Sequence, residues 1–270
     1  MRTIVALGAA IVAACAPAEP MARKAGAQDS VPAAAVGART HLLGGTAGGY
    51  RVVPLPVVGR VTGLVVFQGP TPEDSVIHPK TDVDVCGSTL VDPTVQHRGP
   101  NLGGAVVWLS GVTAGKHLPY TRRFDIVTEG CKFVPRVQAA VAGGTLDVRS
   151  TDATTHKTRF VRAGDTIAVI AETEEGQVVP TAAVLAAPGL VEAGCEAHPW
   201  SKGWLVVFDQ PYYTVSDADG KFAIDSVPPG RYQITAWHER FGMVRDSVTT
   251  TTTTTNITLS FRAPAPASRP

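Results

Sequence analysis

The fold assignment starts from residues 214–237, which read Thr-Val-Ser-Asp-Ala-Asp-Gly-Lys-Phe-Ala-Ile-Asp-Ser-Val-Pro-Pro-Gly-Arg-Tyr-Gln-Ile-Thr-Ala-Trp. An Asp-Gly pair at 219–220 stands between two β-type runs, and such a pair predicts a tight hairpin turn. The Pro-Pro-Gly sequence at 228–230 restricts the backbone and then allows a positive φ, after which a further β-type run begins. The segment therefore predicts short strands joined by tight turns.

Similar β-type runs recur along most of the chain, with Gly and Pro between them. Runs of this kind and spacing are typical of β-sandwiches and barrels. The folded region carries no sustained 3.6-residue pattern, so the sequence predicts an all-β protein made of Greek-key β-sandwiches. The predicted strands are Val57–Phe67, Gly104–Leu109, Lys132–Val141, Thr145–Ser150, Thr166–Glu172, Ala182–Leu185, Gly203–Asp209, Lys221–Ile224, Arg231–Trp237 and Asn256–Phe261.

The composition allows a large core and argues against two classes of function. The chain has 270 residues, of which 44% are apolar, enough to bury a core and to hold two domains. Its 24 basic and 23 acidic residues give a formal charge of +1. A chain so close to neutral has no strong positive electrostatic potential to attract nucleic acid. A Gly-rich phosphate loop, a Ser-His-Asp spacing and a CxxC motif are all missing from the sequence. We therefore expect neither a nucleic-acid partner nor an enzyme active site.

The N-terminus has the features of an export signal. Arg2 supplies the positive charge, and Thr3–Val12 supplies an apolar stretch too short to span a bilayer permanently. The Val-Ala-Ala-Cys sequence that ends at Cys15 resembles a bacterial lipobox, in which the cysteine is lipidated. The alternative is an ordinary signal peptide cleaved after Ala14 or Ala18. Both interpretations place the protein outside the cytosol, and the first predicts a periplasmic, membrane-anchored lipoprotein that contacts the membrane through its N-terminal lipid.

Three cysteines remain for the folded region: Cys86, Cys131 and Cys195. Export makes a disulfide chemically possible. Three cysteines allow one bridge and one leftover thiol. Which of them pair is left open by the count alone.

The hairpin and the Pro-Pro-Gly-Arg-Tyr sequence together resemble the carboxypeptidase regulatory-like domain, a small transthyretin-like β-sandwich. The resemblance covers residues 213–239, and Gly59–Pro70 resembles the beginning of the same module. It implies a scaffold or adhesive element without catalysis.

The sequence Cys-Glu-Ala-His-Pro-Trp at 195–200 is the sharpest sign of chemistry in the chain. A thiolate and an imidazole with two residues between them can both reach one metal ion. A distant histidine would complete the His₂Cys trigonal set of a blue-copper centre, which is often accompanied by a long axial Met. His156, which follows the predicted strand Thr145–Ser150, is available for that role.

The order of motifs in this half resembles periplasmic cupredoxin-like (plastocyanin-type) proteins that carry a carboxypeptidase regulatory-like hairpin. A Gly-Cys-Lys-Phe-Val-Pro-Arg-Val stretch comes first, Ser-x-Asp-x-x-x-His follows, and Cys-x-x-His-Pro-Trp comes last, within residues 130–240. The resemblance implies a cupredoxin-like unit whose candidate copper ligands are His156, Cys195 and His198. A disulfide between the two other cysteines, Cys86 and Cys131, agrees with it, because that pairing leaves the ligand thiol free.

The sequence also departs from that pattern. Ser201 stands where the relatives have Met, and Lys157-Thr158 stands where they have Asn-Val. Lys157, Arg159 and Arg162 add positive charge beside a cation site. An axial Met is not required for binding, since weak axial positions can be replaced or empty. Two alternatives follow: a three-ligand copper site, or a degenerate site that has lost its ion.

Two functions remain from the sequence. The first is a lipid-anchored structural or adaptor subunit with a degenerate site, docked on a membrane or envelope complex through aromatics such as Tyr212 and Tyr213. The second is a one-electron carrier that binds one copper ion and exchanges electrons with membrane-associated redox proteins. In that case the cations near His156 would form a basic rim that steers an acidic partner.

The sequence predicts the following organisation. Residues 1–15 are the signal peptide and lipobox, 16–50 a flexible tether, 51–129 an N-terminal β region that contributes to the regulatory-like sandwich, 130–210 the cupredoxin-like unit, 211–262 the regulatory-like hairpin and strands, and 263–270 a disordered tail.

Overall fold

The structure is a computed structural model that describes residues 49–70, 75–92 and 94–262. These residues form strands with two very short helices, which confirms the all-β, β-sandwich prediction. Within the same ranges, no helix has the length and apolar character needed to span a bilayer. The predicted signal peptide, the lipidation site Cys15, most of the tether and the C-terminal tail lie outside the described residues.

The strands are numbered in chain order. They are β1 (Arg51–Val52), β2 (Gly59–Gln68), β3 (Ser75–Ile77), β4 (Leu90–Asp92), β5 (His97–Arg98), β6 (Asn101–Leu102), β7 (Val106–Ser110), β8 (Ala114–Gly115), β9 (Arg123–Glu129), β10 (Lys132–Val134), β11 (Val137–Val141), β12 (Thr145–Ser150), β13 (His156–Arg162), β14 (Asp165–Glu172), β15 (Val178–Thr181), β16 (Gly189–Cys195), β17 (Lys202–Phe208), β18 (Tyr213–Val215), β19 (Lys221–Val227), β20 (Gly230–His238), β21 (Gly242–Thr250) and β22 (Thr254–Arg262). The helices are α1 (Val83–Cys86) and a 3₁₀ turn at Ala183–Leu185.

The larger sheets form two sandwiches. Sheet 1 has the order β19-β2-β6-β5, with β22 also paired to β2, and sheet 2 has the order β18-β7-β20-β21. Sheet 3 has the order β11-β17-β16-β13-β14, and sheet 4 has the order β10-β9-β12-β15. One hydrophobic core lies between sheets 1 and 2, and a second lies between sheets 3 and 4.

The two sandwiches also pack against each other, through sheets 2 and 3. Successive side chains of a strand point to opposite faces of its sheet. In β7, Val107 and Leu109 enter the core of the first sandwich, whereas Val106 and Trp108 join a separate cluster that includes Phe208 of β17. Both faces of these central strands are therefore covered, which explains why their sequences are continuously apolar.

Two strand predictions are wrong. Ala182–Leu185 was expected as a strand, but Ala183–Leu185 is a 3₁₀ turn. A short apolar run between turn signals does not distinguish a strand from a single helical turn. Lys132–Val141 was expected as one strand, but Pro135 lies between β10 and β11, which belong to different sheets. Proline cannot donate a ladder hydrogen bond, so it separates the two segments.

Sheet membership shows how the chain is distributed between the two sandwiches. Sheets 3 and 4 are built from residues 123–208, and sheets 1 and 2 from residues 59–110 and 213–262. The boundary predicted between residues 129 and 130 assigns strand β9 to the N-terminal region. In the structure, β9 pairs with β10 and β12 in sheet 4.

The prediction that Tyr212 is an exposed anchor for a partner is wrong. Its side chain is fully buried in the core of the first sandwich, and its hydroxyl accepts a hydrogen bond from the Lys116 N–H at 3.0 Å. Tyr213 is half-buried and stacks on Phe208, with ring centroids 4.6 Å apart. Both aromatics therefore serve the packing of the protein itself.

Candidate metal centre

The second sandwich brings three predicted ligands together at one end of sheet 3. His156 is the first residue of β13, and Cys195 is the last residue of β16. These strands are antiparallel neighbours, with Thr158 opposite Cys195, so the two residues lie at the same end of the sheet. His198 lies in the turn between β16 and β17.

The donor atoms of these three residues face one another. The Cys195 Sγ lies 3.6 Å from Nδ1 of His156 and 3.5 Å from Nδ1 of His198. The two Nδ1 atoms are 3.1 Å apart. His156 and His198 have no accessible surface, and Cys195 is 4% exposed. The side chains expected from the sequence to bind one ion thus place three donor atoms around one small, buried space.

These separations fit one first-row metal ion. A tetrahedral ion with bonds of about 2.0 Å to nitrogen and about 2.3 Å to sulfur requires nitrogens about 3.3 Å apart and nitrogen–sulfur separations of about 3.5 Å. The observed distances are 3.1 Å between the nitrogens and 3.5 and 3.6 Å from nitrogen to sulfur. The donor types also fit, because thiolate and imidazole are ligands that copper and zinc prefer.

The turn that carries His198 is closed by two backbone hydrogen bonds. The Ser201 N–H donates to the His198 carbonyl at 2.8 Å, and the Cys195 N–H donates to the Ser201 carbonyl at 3.1 Å. The Ser201 hydroxyl, at the position where the sequence resemblance would place a Met, is buried and has no hydrogen-bond partner among the described residues. Met243, the methionine in the described part of the chain, packs instead between the two sandwiches.

A carboxylate contacts the outer nitrogen of His156. Its Nε2 lies 3.0 Å from Oδ2 of Asp152, which is itself 7% exposed. The same carboxylate accepts hydrogen bonds from the backbone N–H of Gly130 at 2.7 Å and of Cys131 at 2.8 Å. Three donors thus hold Asp152 against the ring.

A second carboxylate contacts His198 from a distant part of the chain. Asp82, just before α1, places Oδ2 3.0 Å from His198 Nε2. Its Oδ1 accepts a hydrogen bond from the Thr154 hydroxyl at 3.0 Å. Helix α1 ends at Cys86, which forms a disulfide with Cys131. The disulfide borders the site, because its two sulfur atoms and a ring nitrogen of His198 lie within 4.8 Å of one another.

The electrostatics favour a charged pair in the metal-free site. Burial opposes ionisation of the Cys195 thiol, but hydrogen bonds from His156, from the Lys157 and His198 backbone and from the His198 ring lower its pKa to about 6. Burial also opposes protonation of His156, yet its hydrogen bonds with Asp152 and Cys195 raise its pKa to about 9. The thiolate is the form of cysteine that binds metals.

Glu172 is a buried acid beside the site that sequence reasoning missed. It lies opposite His156 in the β13–β14 pair and has no accessible surface. Thr158 donates to its Oε2 at 3.3 Å, whereas Oε1 has no hydrogen-bond partner within the described chain. Burial raises the pKa of Glu172 to about 7. In the sequence, Glu172 only ends the apolar run Ile167–Ala171 of β14, so nothing local marks it as buried.

The cations predicted to form a basic rim are engaged with neighbouring groups. The Lys157 ammonium lies 2.7 Å from Oε2 of Glu196, and the Arg159 guanidinium binds the same carboxylate. Arg162 donates to the Val184 carbonyl at 2.6 Å. The surface beside the site therefore presents paired charges rather than a uniform positive rim.

A further buried histidine, next to an acid in sequence, lies away from this site. His238, the last residue of β20, is buried in the first sandwich and its Nδ1 accepts a hydrogen bond from the Arg240 N–H at 3.1 Å. Burial lowers the pKa of His238 to about 4, with a further contribution from Arg136. Glu239 binds Arg136 and the Trp204 indole. This cluster is structural and carries no nucleophile.

Comparison with known proteins gives partial matches. The family model of the BOS complex subunit NOMO1-like, second beta sandwich domain, matches residues 209–263, a small part of the chain. No curated protein matches the chain.

Solved structures match the chain over about a third of its length. A copper-containing nitrite reductase from Thermus scotoductus SA-01 is 21% identical, with a TM-score of 0.29, and the match covers 36% of this chain and 24% of the reductase. A purple cupredoxin from Nitrosopumilus maritimus is 18% identical over 31% of this chain and 97% of its own, with a TM-score of 0.26. A reduced amicyanin mutant is 17% identical over 32% of this chain and 81% of its own, with a TM-score of 0.28.

Proposed function

We propose that this protein binds one copper ion through His156, Cys195 and His198 and transfers single electrons to and from a partner outside the cytosol. The observation that supports the proposal is the convergence of two Nδ1 atoms and one sulfur, 3.1 to 3.6 Å apart, in a buried space. A thiolate–imidazole set serves both Cu(I) and Cu(II), as a one-electron carrier requires.

The surrounding residues supply the rigidity that such a carrier needs. Two neighbouring strands fix His156 and Cys195, and the hydrogen-bonded turn fixes His198. With Ser201 at the position expected for the axial Met, the described residues offer the site no thioether as a fourth ligand. The buried Ser201 hydroxyl is a harder donor, and the identity of the axial group tunes the reduction potential of such sites.

A surface depression reaches the backbone beside the ligand cysteine. It is lined by Gly194, Cys195 and Pro199 together with charged residues such as Glu192 and Lys202. No atom lies within 4 Å of the position that a Cβ on Gly194 would occupy, so the backbone next to the ligand is open. We place the electron-exchange surface here.

Copper loading tests the proposal. Protein with its disulfide intact is expected to retain one equivalent of Cu(II) after desalting and to show an intense thiolate-to-copper absorption band that disappears on reduction. Metal analysis and visible spectroscopy measure both. Protein that, after reconstitution with Cu(I) and with Cu(II), retains no copper or binds it without the thiolate band would contradict the proposal.

A second candidate function is favoured by the family match at residues 209–263. That model describes a domain of a BOS complex subunit, and the matched region contributes β18–β22 to the first sandwich. On this basis the protein would be a non-catalytic adaptor in a membrane complex, anchored by a lipid on Cys15, with residues 130–210 providing a cupredoxin-like unit.

Extraction from the membrane tests the second candidate. The adaptor function predicts that the chain stays membrane-bound and co-purifies with a defined complex after mild detergent treatment. A Cys15→Ser variant is expected to move to the soluble extracytoplasmic fraction, whereas Cys195→Ser stays membrane-bound and keeps the complex. A wild-type chain that purifies alone, or a Cys15→Ser variant that fractionates with the membrane, would count against it.

A further inference from the structure

Each imidazole of the centre has a carboxylate on its outer nitrogen. Nε2 of His156 faces Asp152, and Nε2 of His198 faces Asp82, both at 3.0 Å. A carboxylate at neutral pH can only accept a hydrogen bond. Nε2 of each ring must therefore carry the proton, and a neutral ring then has its lone pair on Nδ1. Those are the atoms that face the Cys195 sulfur.

We propose that Asp82 is a positioning residue of the metal centre: it fixes the tautomer and orientation of His198, and the Cys86–Cys131 disulfide holds it in place. The inference rests on the proposed copper site and adds a residue 116 positions away from the ligand it orients. Metal-binding histidines commonly donate their other N–H to a carboxylate, which fixes the tautomer and strengthens the ligand.

The backbone around Asp82 is organised for this contact. Asp82 has a φ of +51°, in the left-handed region that Asp tolerates better than most residues. Its carbonyl accepts the N–H of Val85 at 2.9 Å and of Cys86 at 2.7 Å, so the turn into α1 is closed. Cys86 is then bonded to Cys131, whose own N–H binds Asp152. One bridge thus joins the segment that carries Asp82 to the turn that binds Asp152.

The carboxylate also has an electrostatic effect on the ion. A negative charge one imidazole away from the metal stabilises the ion of higher charge more than the ion of lower charge. We therefore expect Asp82 to favour Cu(II) over Cu(I). A substitution that removes the charge of Asp82 but keeps a hydrogen-bond acceptor separates this electrostatic effect from the effect on ring orientation.

Two substitutions at position 82 and a control nearby test the proposal. Asp82→Gly removes the carboxylate and tolerates the positive φ, and it is expected to lower Cu(II) affinity about 10- to 100-fold. Asp82→Asn keeps an acceptor without charge, so it should retain more Cu(II) affinity than Asp82→Gly and raise the ratio of Cu(I) to Cu(II) affinity. The control is Asp84→Asn, which changes an exposed acid in the helix that follows Asp82 and should leave both affinities unchanged.

A second readout uses the metal-free protein. Nitrogen-15 NMR of the His198 ring should show the proton on Nε2 in the wild type and a mixture of tautomers in Asp82→Gly, with free-thiol titration confirming that the disulfide is intact. Equal Cu(II) affinity in wild type and Asp82→Gly would overturn the proposal, and so would a wild-type His198 protonated on Nδ1 alone. A third outcome separates the two proposals: the wild type binds no copper, but its His198 carries the proton on Nε2 and Asp82→Gly does not. The copper function would then fail, and the positioning role of Asp82 would stand.

Discussion

Cys195→Ser is expected to lower copper affinity more than about 100-fold, because it removes a proposed ligand itself. Loss of a group that is only hydrogen-bonded to a ligand costs about 10- to 100-fold. The serine hydroxyl stays protonated and is a hard donor, whereas the thiolate of Cys195 is soft and is already favoured in the metal-free site. The thiolate-to-copper absorption should disappear. Competition titration and visible spectroscopy measure the two effects.

The matched control for this substitution is an exposed histidine. His117 lies on the surface and is not among the groups of described residues whose donor atoms converge, so His117→Ala should bind copper as the wild type does. Cys195→Ser changes one buried atom and should keep the native circular dichroism spectrum. A Cys195→Ser protein that bound copper with unchanged affinity would place the ion elsewhere in the chain.

The sequence and the structure agree best where the chemistry depends on neighbouring strands. The Cys-x-x-His motif and the later strands could be read directly, and β13 and β16 place His156 and Cys195 together because their register is fixed by buried residues on one face. Asp152 stands four residues before His156, inside the Ser-x-Asp-x-x-x-His motif. Its role depends on a distant turn, because its carboxylate accepts hydrogen bonds from the backbone N–H groups of Gly130 and Cys131.

Asp82 could not have been found from the sequence. Its contact with His198 joins residues 116 positions apart, and nothing in the local pattern around Val83–Cys86 resembles a ligand motif. The disulfide links the end of α1 to Cys131, and Thr154 binds Asp82, so both contacts that hold this segment at the site are also distant in sequence. The strand errors have a different cause: Ala182–Leu185 is too short for its period to separate a strand from a helical turn.

The same logic explains why the apparent basic rim was misleading. Lys157 and Arg159 stand next to His156 in sequence, but in the strand they point to the outer face. Glu196 belongs to the turn after β16, and its carboxylate meets both cations across the sheet. The charges on one strand do not predict the electrostatic potential of a surface when residues of a neighbouring segment carry the opposite charge.

Removing the disulfide is expected to cost the protein a large part of its stability. The Cys86–Cys131 bridge closes a loop with a sequence separation of 45, and a loop of that size corresponds to about 4 kcal/mol of unfolding free energy in the chain-entropy treatment. A Cys86→Ala/Cys131→Ala variant should therefore show a lower urea midpoint than the wild type. Adding a thiol reductant should lower the wild-type midpoint toward that of the variant and leave the variant unchanged.

The disulfide and Asp82 should also act on copper binding as one unit. If the bridge holds Asp82 against His198, the variant without the bridge loses most of the contribution of Asp82 even when it is folded. Asp82→Gly should then weaken Cu(II) binding strongly in the wild-type background and only slightly in the Cys86→Ala/Cys131→Ala background, measured in the absence of urea. Such non-additivity is the signature of coupled residues. Equal effects of Asp82→Gly in both backgrounds would show that the helix holds the carboxylate without the bridge.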